Sequence, residues 1–325
     1  MNTKAREANT TGKASFFKRT EFTLALIIIA LFLIATFFTK NFFSLYNVTN
    51  LLKQGAIVGV LAVAQTAIII TAGIDISGGA IAGLTCMSIA LAQTRLGWGL
   101  FPCLLLALVI GTLCGFVNSI IIFDLQVPPM IATLGTQTVI RGIVKLLCKG
   151  LPVTISDNKI LSLGTYLIGG VLPVLTVIWI GVAIVIFIWL RYAISGRNMF
   201  VIGSGVEVAR LSGIKVRSMY YLVYSLGGFL YGIAGMMLAA RVGMAQPGTG
   251  EGYDMNAIAA AVIGGASLAG GRGAVTGTVL GTLLMVLITN AGTAFKIDPY
   301  ILEILTGVLI IFAVAMDMIK SRKKA

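Results

Sequence analysis

The sequence contains no histidine, and only 11% of its 325 residues are charged. A soluble domain of this length carries about 25% charged residues. So few charges cannot cover a globule in water, and most of the chain must have lipid as its solvent. Cysteine is scarce too: Cys86, Cys103, Cys114 and Cys148 form no CxxC pair, and the first three lie in apolar runs. With no imidazole to join them, a Cys/His metal site has no basis, and they read as packing residues. Catalytic motifs are also missing. There is no GxSxG, no HExxH and no GxxxxGK[ST], and the stretch Gly270–Gly277 lacks the lysine that would hold phosphate. The chain therefore reads as a non-enzyme that binds no cofactor of its own. If nucleotide drives it, another chain must bind that nucleotide.

What the chain has instead is hydrophobic length, 58% of all residues. A span needs about 20 apolar residues. Ten candidates follow, at 22–38, 51–72, 78–94, 98–123, 129–147, 167–190, 217–240, 255–270, 273–291 and 299–318. Two of them are weak, 129–147 because it carries Arg141 and 255–270 because it is short enough to be re-entrant. The expected architecture is an all-α polytopic membrane protein of about ten transmembrane helices, with short re-entrant or broken segments and Gly-rich helix packing. Residues 1–20 and 320–325 read as cytoplasmic tails around a transmembrane domain at 21–319. The first apolar run follows basic residues, but Thr39-Lys40-Asn41-Phe42 offers no small-residue cleavage site, so it reads as an uncleaved span.

The net charge of +13 could suggest nucleic acid, but its placement excludes that reading. The basic residues gather at Lys4–Arg19, at Arg191, Arg197, Arg210, Lys215 and Arg217, and at Lys320–Lys324, with no interleaved aromatic stripe. This is how the positive-inside rule distributes charge across a membrane protein. An even number of spans would put both termini and the 191–217 loop on the cytoplasmic side.

Glycine recurs at a spacing of four, in Gly55/Gly59, Gly79/Gly83, Gly111/Gly115, Gly228/Gly232 and Gly273/Gly277/Gly281. Such faces let helix backbones approach closely in lipid, and they predict a tight bundle that can also dimerise. Two Gly-rich polar breaks interrupt the apolar runs, Gly73-Ile-Asp-Ile-Ser-Gly-Gly79 and Gly264–Gly273. Broken segments of this kind line transporter pathways, although a plain turn between short helices gives the same pattern.

Polar groups within spans are functional candidates by default. Here the candidates for a translocation path are Gln65, Asp75, Asn118, Thr136, Gln137, Asn256, Ser267 and Asn290. Nearly all are neutral, which suits an uncharged, hydroxyl-rich solute better than a proton- or sodium-coupled one. A helix–helix hydrogen bond explains any single one of them equally well. Asp75 can cap the helix that follows it. The segment from Gly203 to Gly213 is the one polar island between the termini shaped to meet another protein.

Several segments together resemble the permease subunits of ABC importers of the ribose/galactose/xylose type. They are Gly73–Gly79, Ile131-Ala-Thr-Leu-Gly135 with Arg141-Gly142, Gly203–Ile214, and Ile258–Gly273 with Gly277-Thr278. The similarity runs from about residue 40 to the C-terminus. Ile76 and Gly78 depart from the usual Gly-Ile-Asp-Leu-Ser-Val-Gly. The resemblance implies two permease copies around one path, a cytoplasmic ATPase pair below that holds ATP and Mg, and an extracytoplasmic solute-binding protein above. It implies an ATPase-coupling helix carrying Gly203, Glu207, Ala209, Arg210, Leu211 and Gly213. The cargo it implies is a monosaccharide or similar polar solute. The rival reading is an ion-coupled secondary transporter of a small neutral solute.

Overall fold

The computed structural model describes residues 20–322, and it is helical almost throughout. The expectations made for the basic N-terminal tail, and for Lys323 and Lys324, lie outside the described residues. Among the described residues thirteen α-helices follow one another: α1 Thr20–Phe38, α2 Leu45–Ile70, α3 Gly78–Leu96, α4 Leu100–Ser119, α5 Pro129–Cys148, α6 Asn158–Thr165 and α7 Val174–Tyr192. Then come α8 Ile194–Ser204, α9 Val206–Leu211, α10 Val216–Val242, α11 Tyr253–Ile263, α12 Val275–Ala294 and α13 Pro299–Arg322. Eight of these are long and apolar enough to cross a membrane, where the sequence reading expects ten. The helix α11 has 11 residues, about 16 Å, against a hydrocarbon core of about 30 Å. The other shortfall is α3, which is 19 residues long but diluted by glycine and by Ser88, Gln93, Thr94 and Arg95. The Arg141-bearing helix, expected to be weak, is a full apolar span.

The candidate at 167–190 is also shorter than expected. Leu167-Ile168 pairs with Leu172-Pro173 as a small antiparallel hairpin, and α7 starts only afterwards. Gly169 and Gly170 take φ of 61° and 74°, the left-handed pair that a tight hairpin turn requires.

Helix α2 is the centre of the bundle, nearly all of it buried from Gly55 to Ile70. Around it pack α7, α10, α11 and α12, while α1 and α13 keep most of their surface exposed at the periphery. Large exposed apolar residues such as Leu33, Leu113, Val185 and Ile311 cover the outer faces, as a lipid-facing surface requires. Two of the predicted glycine faces, Gly111/Gly115 and Gly228/Gly232, meet each other. A side chain at Gly111 would strike the Gly228 carbonyl, and one at Gly228 would strike the Gly111 carbonyl, so α4 and α10 are in backbone contact.

Candidate functional site

The first Gly-rich break, 71–77, joins α2 to α3 and carries a buried polar cluster. Asp75 is 1% exposed, and its Oδ1 accepts the Ser77 amide hydrogen at 2.9 Å and the Ser77 hydroxyl hydrogen at 2.6 Å. Asp75 thus holds the turn that leads into α3 rather than capping the helix: Ser77 is the residue at the cap position, and no side chain among the described residues caps the first helical amides. Asn118 at the end of α4 donates to Ser77 Oγ at 2.9 Å, and the Ile76 amide donates to Thr133 Oγ1 of α5 at 3.1 Å. Gln65 of α2 closes the cluster. In the orientation that satisfies its neighbours, its carboxamide bonds the Asp75 backbone twice, each at 3.1 Å, and Tyr231 Oη at 3.2 Å. Side chains from α2, α4, α5 and α10 thus fix one irregular turn, whose backbone groups would otherwise cost several kcal/mol each in lipid.

A second cluster abuts the first. Helix α11 begins after a turn at 246–252, and α3 begins beside it. The α-carbon of Gly79 is so close to the Gly250 carbonyl that a side chain there would strike it. Two helix N-termini therefore meet inside the bundle, each with the partial positive charge of its free amides. Asp254 in the first turn of α11 is 5% exposed and answers that charge. Gln137 of α5 donates to Asp254 Oδ2 at 3.0 Å, and Arg141 one turn on donates to the Thr249 carbonyl at 2.7 Å.

These two clusters gather Gln65, Asp75, Asn118 and Gln137 from the residues that the sequence singles out. Thr136 and Asn256 flank them, and Thr136 spends its hydroxyl on its own helix at Ala132, 3.0 Å away. Ser267 and Asn290 lie apart. Ser267 donates to Asp317 of α13 at 3.1 Å, and Asn290 exchanges two bonds with Asn47, at 3.0 and 3.1 Å. Sequence reasoning missed Ser77, Tyr231, Asp254 and Thr249. The tyrosine reads as one more apolar residue of a span, and Asp254 falls just before the run that hydropathy picks out. Four polar atoms in this region are buried without a hydrogen-bond partner among the described residues: Asp75 Oδ2, Asn118 Oδ1, Tyr224 Oη and Arg141 Nη2.

The 191–217 segment forms two helices rather than one. Gly205 breaks it, separating α8 from the six-residue α9. Its contact with the bundle is close. Gly203 lies against the Ile70 carbonyl and the Gly271 amide, and that amide donates to Ile70 O at 2.9 Å. Ile202, Ala209 and Val216 bury a small apolar cluster beneath α9. On the outer side Glu207 and Arg210 pair at 3.0 Å, and Leu211 is 89% exposed. Gly213, with φ 76°, turns the chain into α10. The second Gly-rich break, 264–274, thus packs on this segment, on the end of α2 and on the first break, where a side chain at Gly270 would meet Ala72.

Residues 47–314 match the family model described as branched-chain amino acid transport system / permease component. The chain belongs to this permease family. It is 36% identical over 288 residues to the ribose import permease protein RbsC of Haemophilus influenzae, covering 87% of this chain and 88% of that one. It is 32% identical to the galactose/methyl galactoside import permease protein MglC of Escherichia coli, covering 86% and 89%. The fructose import permease protein FrcC of Rhizobium meliloti is 34% identical, covering 85% and 78%. No solved structure matches. These relatives bear out the resemblance read from the motifs, and they place the chain among membrane permeases.

Proposed function

We propose that this chain is the membrane-spanning subunit of an ATP-driven importer, and that two copies enclose a path for a monosaccharide or similar polar solute. The family model is described by amino acid transport, whereas the curated relatives named above are sugar permeases. The neutral character of Gln65, Asn118 and Gln137 supports the sugar. Hydroxyl groups need several weak hydrogen bonds in passage rather than one charge partner, and the unpartnered atoms around Asp75 and Arg141 offer them.

The observation that carries the proposal is the seating of Gly203. An ATPase subunit on the cytoplasmic side grips exposed Leu211 and the Glu207–Arg210 pair, and its closure moves α8 and α9. Because Gly203 abuts both Ile70 and Gly271, the movement passes to the end of α2 and to the 264–274 loop. The turn carrying Asp75 follows directly from α2, so the polar clusters reorganise with it. Solute arrives from an extracytoplasmic binding protein, and both termini face the cytoplasm of a bacterial cytoplasmic membrane.

The test is reconstitution with the ATPase subunit and the binding protein. Leu211→Asp is expected to abolish uptake and ATPase association while leaving the permease folded, because Leu211 touches little of its own chain. Normal association and uptake by that variant, or accumulation of solute by the permease alone in sealed liposomes, overturns the proposal.

A further inference from the structure

Two pockets of about 410 and 460 Å³ join along the outer face of the bundle, between α7 and α12. They share Phe187 and Val275, so they form one continuous groove. Its deep end is apolar, walled by Trp179, Ala183 and Val279. At its other end stand two arginines, Arg191 at the close of α7 and Arg197 on α8.

We infer that this groove is a binding site for an anionic glycerophospholipid, with an acyl chain laid along α7 and α12 and the phosphate held by Arg191 and Arg197. The dimensions fit. From Trp179 to Arg191 the helix rises about 18 Å, close to the depth of one leaflet in a core of about 30 Å.

The charge fits as well. The arginine–carboxylate pairs among the described residues are Arg210–Glu207 and Arg217–Asp124, and neither groove arginine belongs to one. Arg191 stacks on the rings of Phe187 and Tyr192, at 5.8 and 5.7 Å, which holds the guanidinium plane while leaving its edge free for bidentate contact. Arg197 uses one nitrogen on the Tyr192 carbonyl, at 3.0 Å, and keeps the others. The acid beside the groove wall, Glu21, accepts the Thr276 hydroxyl hydrogen. A zwitterionic headgroup would bring an ammonium against two cations, and the basic N-terminal segment would be repelled in the same way. A lipid with uncompensated negative charge is the occupant that this arrangement favours.

The site joins α7 and α12 to α8, the helix that carries Gly203, so an occupied groove braces the segment through which the transporter is worked. The experiment is native mass spectrometry of the full chain, titrated with phosphatidylglycerol and, separately, with phosphatidylethanolamine. One tightly bound phosphatidylglycerol is expected, preferred about tenfold or more over phosphatidylethanolamine. R191Q/R197Q removes the preference, on the order of fivefold per arginine, the equivalent of roughly 1 kcal/mol each. Val279→Phe fills the groove and lowers binding of both lipids. The wild-type preference also weakens as salt rises, a readout that needs no variant. Equal retention of the two lipids, a preference that survives R191Q/R197Q, or a groove that takes up neither lipid because a second chain covers it, overturns the assignment.

Discussion

Gly203 lies against the carbonyl oxygen of Ile70, and that same oxygen accepts the amide hydrogen of Gly271. One atom at the end of α2 thus joins the exposed α8–α9 segment to the 264–274 loop. A methyl group at position 203 meets backbone on both sides, where no rotamer change can relieve it. We predict that Gly203→Ala costs about 1–3 kcal/mol, the usual penalty of overpacking. Because the error lies at the joint, uptake should fall further than thermal stability while the ATPase subunit still binds. Unfolding temperature and transport measured on the same preparation check this, and a Gly203→Val variant with normal uptake would refute it.

Asp75 makes its two bonds to Ser77 through one oxygen, which an asparagine retains. Asp75→Asn is therefore expected to keep the fold and most of the uptake. Asp75→Ala leaves the Ser77 amide and hydroxyl buried without their acceptor, at a cost of about 1–3 kcal/mol per group. Uptake and thermal stability of the two variants separate the readings. If Asp75→Asn is as inactive as Asp75→Ala, the charge itself is required and the role of a turn-holding acceptor is wrong.

Much of this arrangement is legible from residue order, for identifiable reasons. The spacing of Gly111/Gly115 and Gly228/Gly232 marks helices that can touch backbone to backbone, and these two sets meet each other. The Gly203–Gly213 segment stands out because polar, small residues interrupt two apolar runs. Span counting is less successful, since hydropathy measures composition in a window and not length. It merges the short α11 with the loop after it and joins the Leu167–Pro173 hairpin to α7. The pairing of breaks is beyond periodicity altogether. Nothing in the order of residues says that Gly79 meets Gly250 while Gly271 meets Gly203, because those contacts depend on how α2, α3 and α11 cross. Asp254 escapes notice for the same reason, as its partner Gln137 is 117 positions away.

Arg141 donates to the Thr249 carbonyl at 2.7 Å and thereby holds the turn that starts α11. A lysine carries the same charge but lacks the fixed planar fork, so the exchange is not conservative at this site. We predict that Arg141→Lys lowers the maximal uptake rate several-fold. Gln137→Ala, which frees Asp254 Oδ2, should act in the same direction. In the pair Arg141→Lys/Gln137→Ala the losses should be less than additive, since both residues position one half-helix. Strict additivity in the double variant would show that they act independently.

Asn47 on α2 and Asn290 on α12 donate to each other, amide to amide, at 3.1 and 3.0 Å. Asn47 also donates to the Phe42 carbonyl at 2.9 Å, so the pair secures the turn before α2 as well as the contact with α12. Sequence reasoning places Asn290 among the candidates for the path, yet its bonds are those of a clamp between helices. Interhelical bonds of this kind contribute about 0.6–2 kcal/mol in a membrane. Asn290→Leu should lower thermal stability by an amount in that range, because it leaves the Asn47 carboxamide half-satisfied. Asn47→Leu/Asn290→Leu removes both polar groups, and it should recover part of the loss, since replacing both partners of a bond is milder than replacing one. Uptake at a permissive temperature should stay within about twofold of wild type in both variants, for no path contact is lost. A large fall in the uptake rate with unchanged thermal stability would return Asn290 to the translocation path and remove it from the clamp.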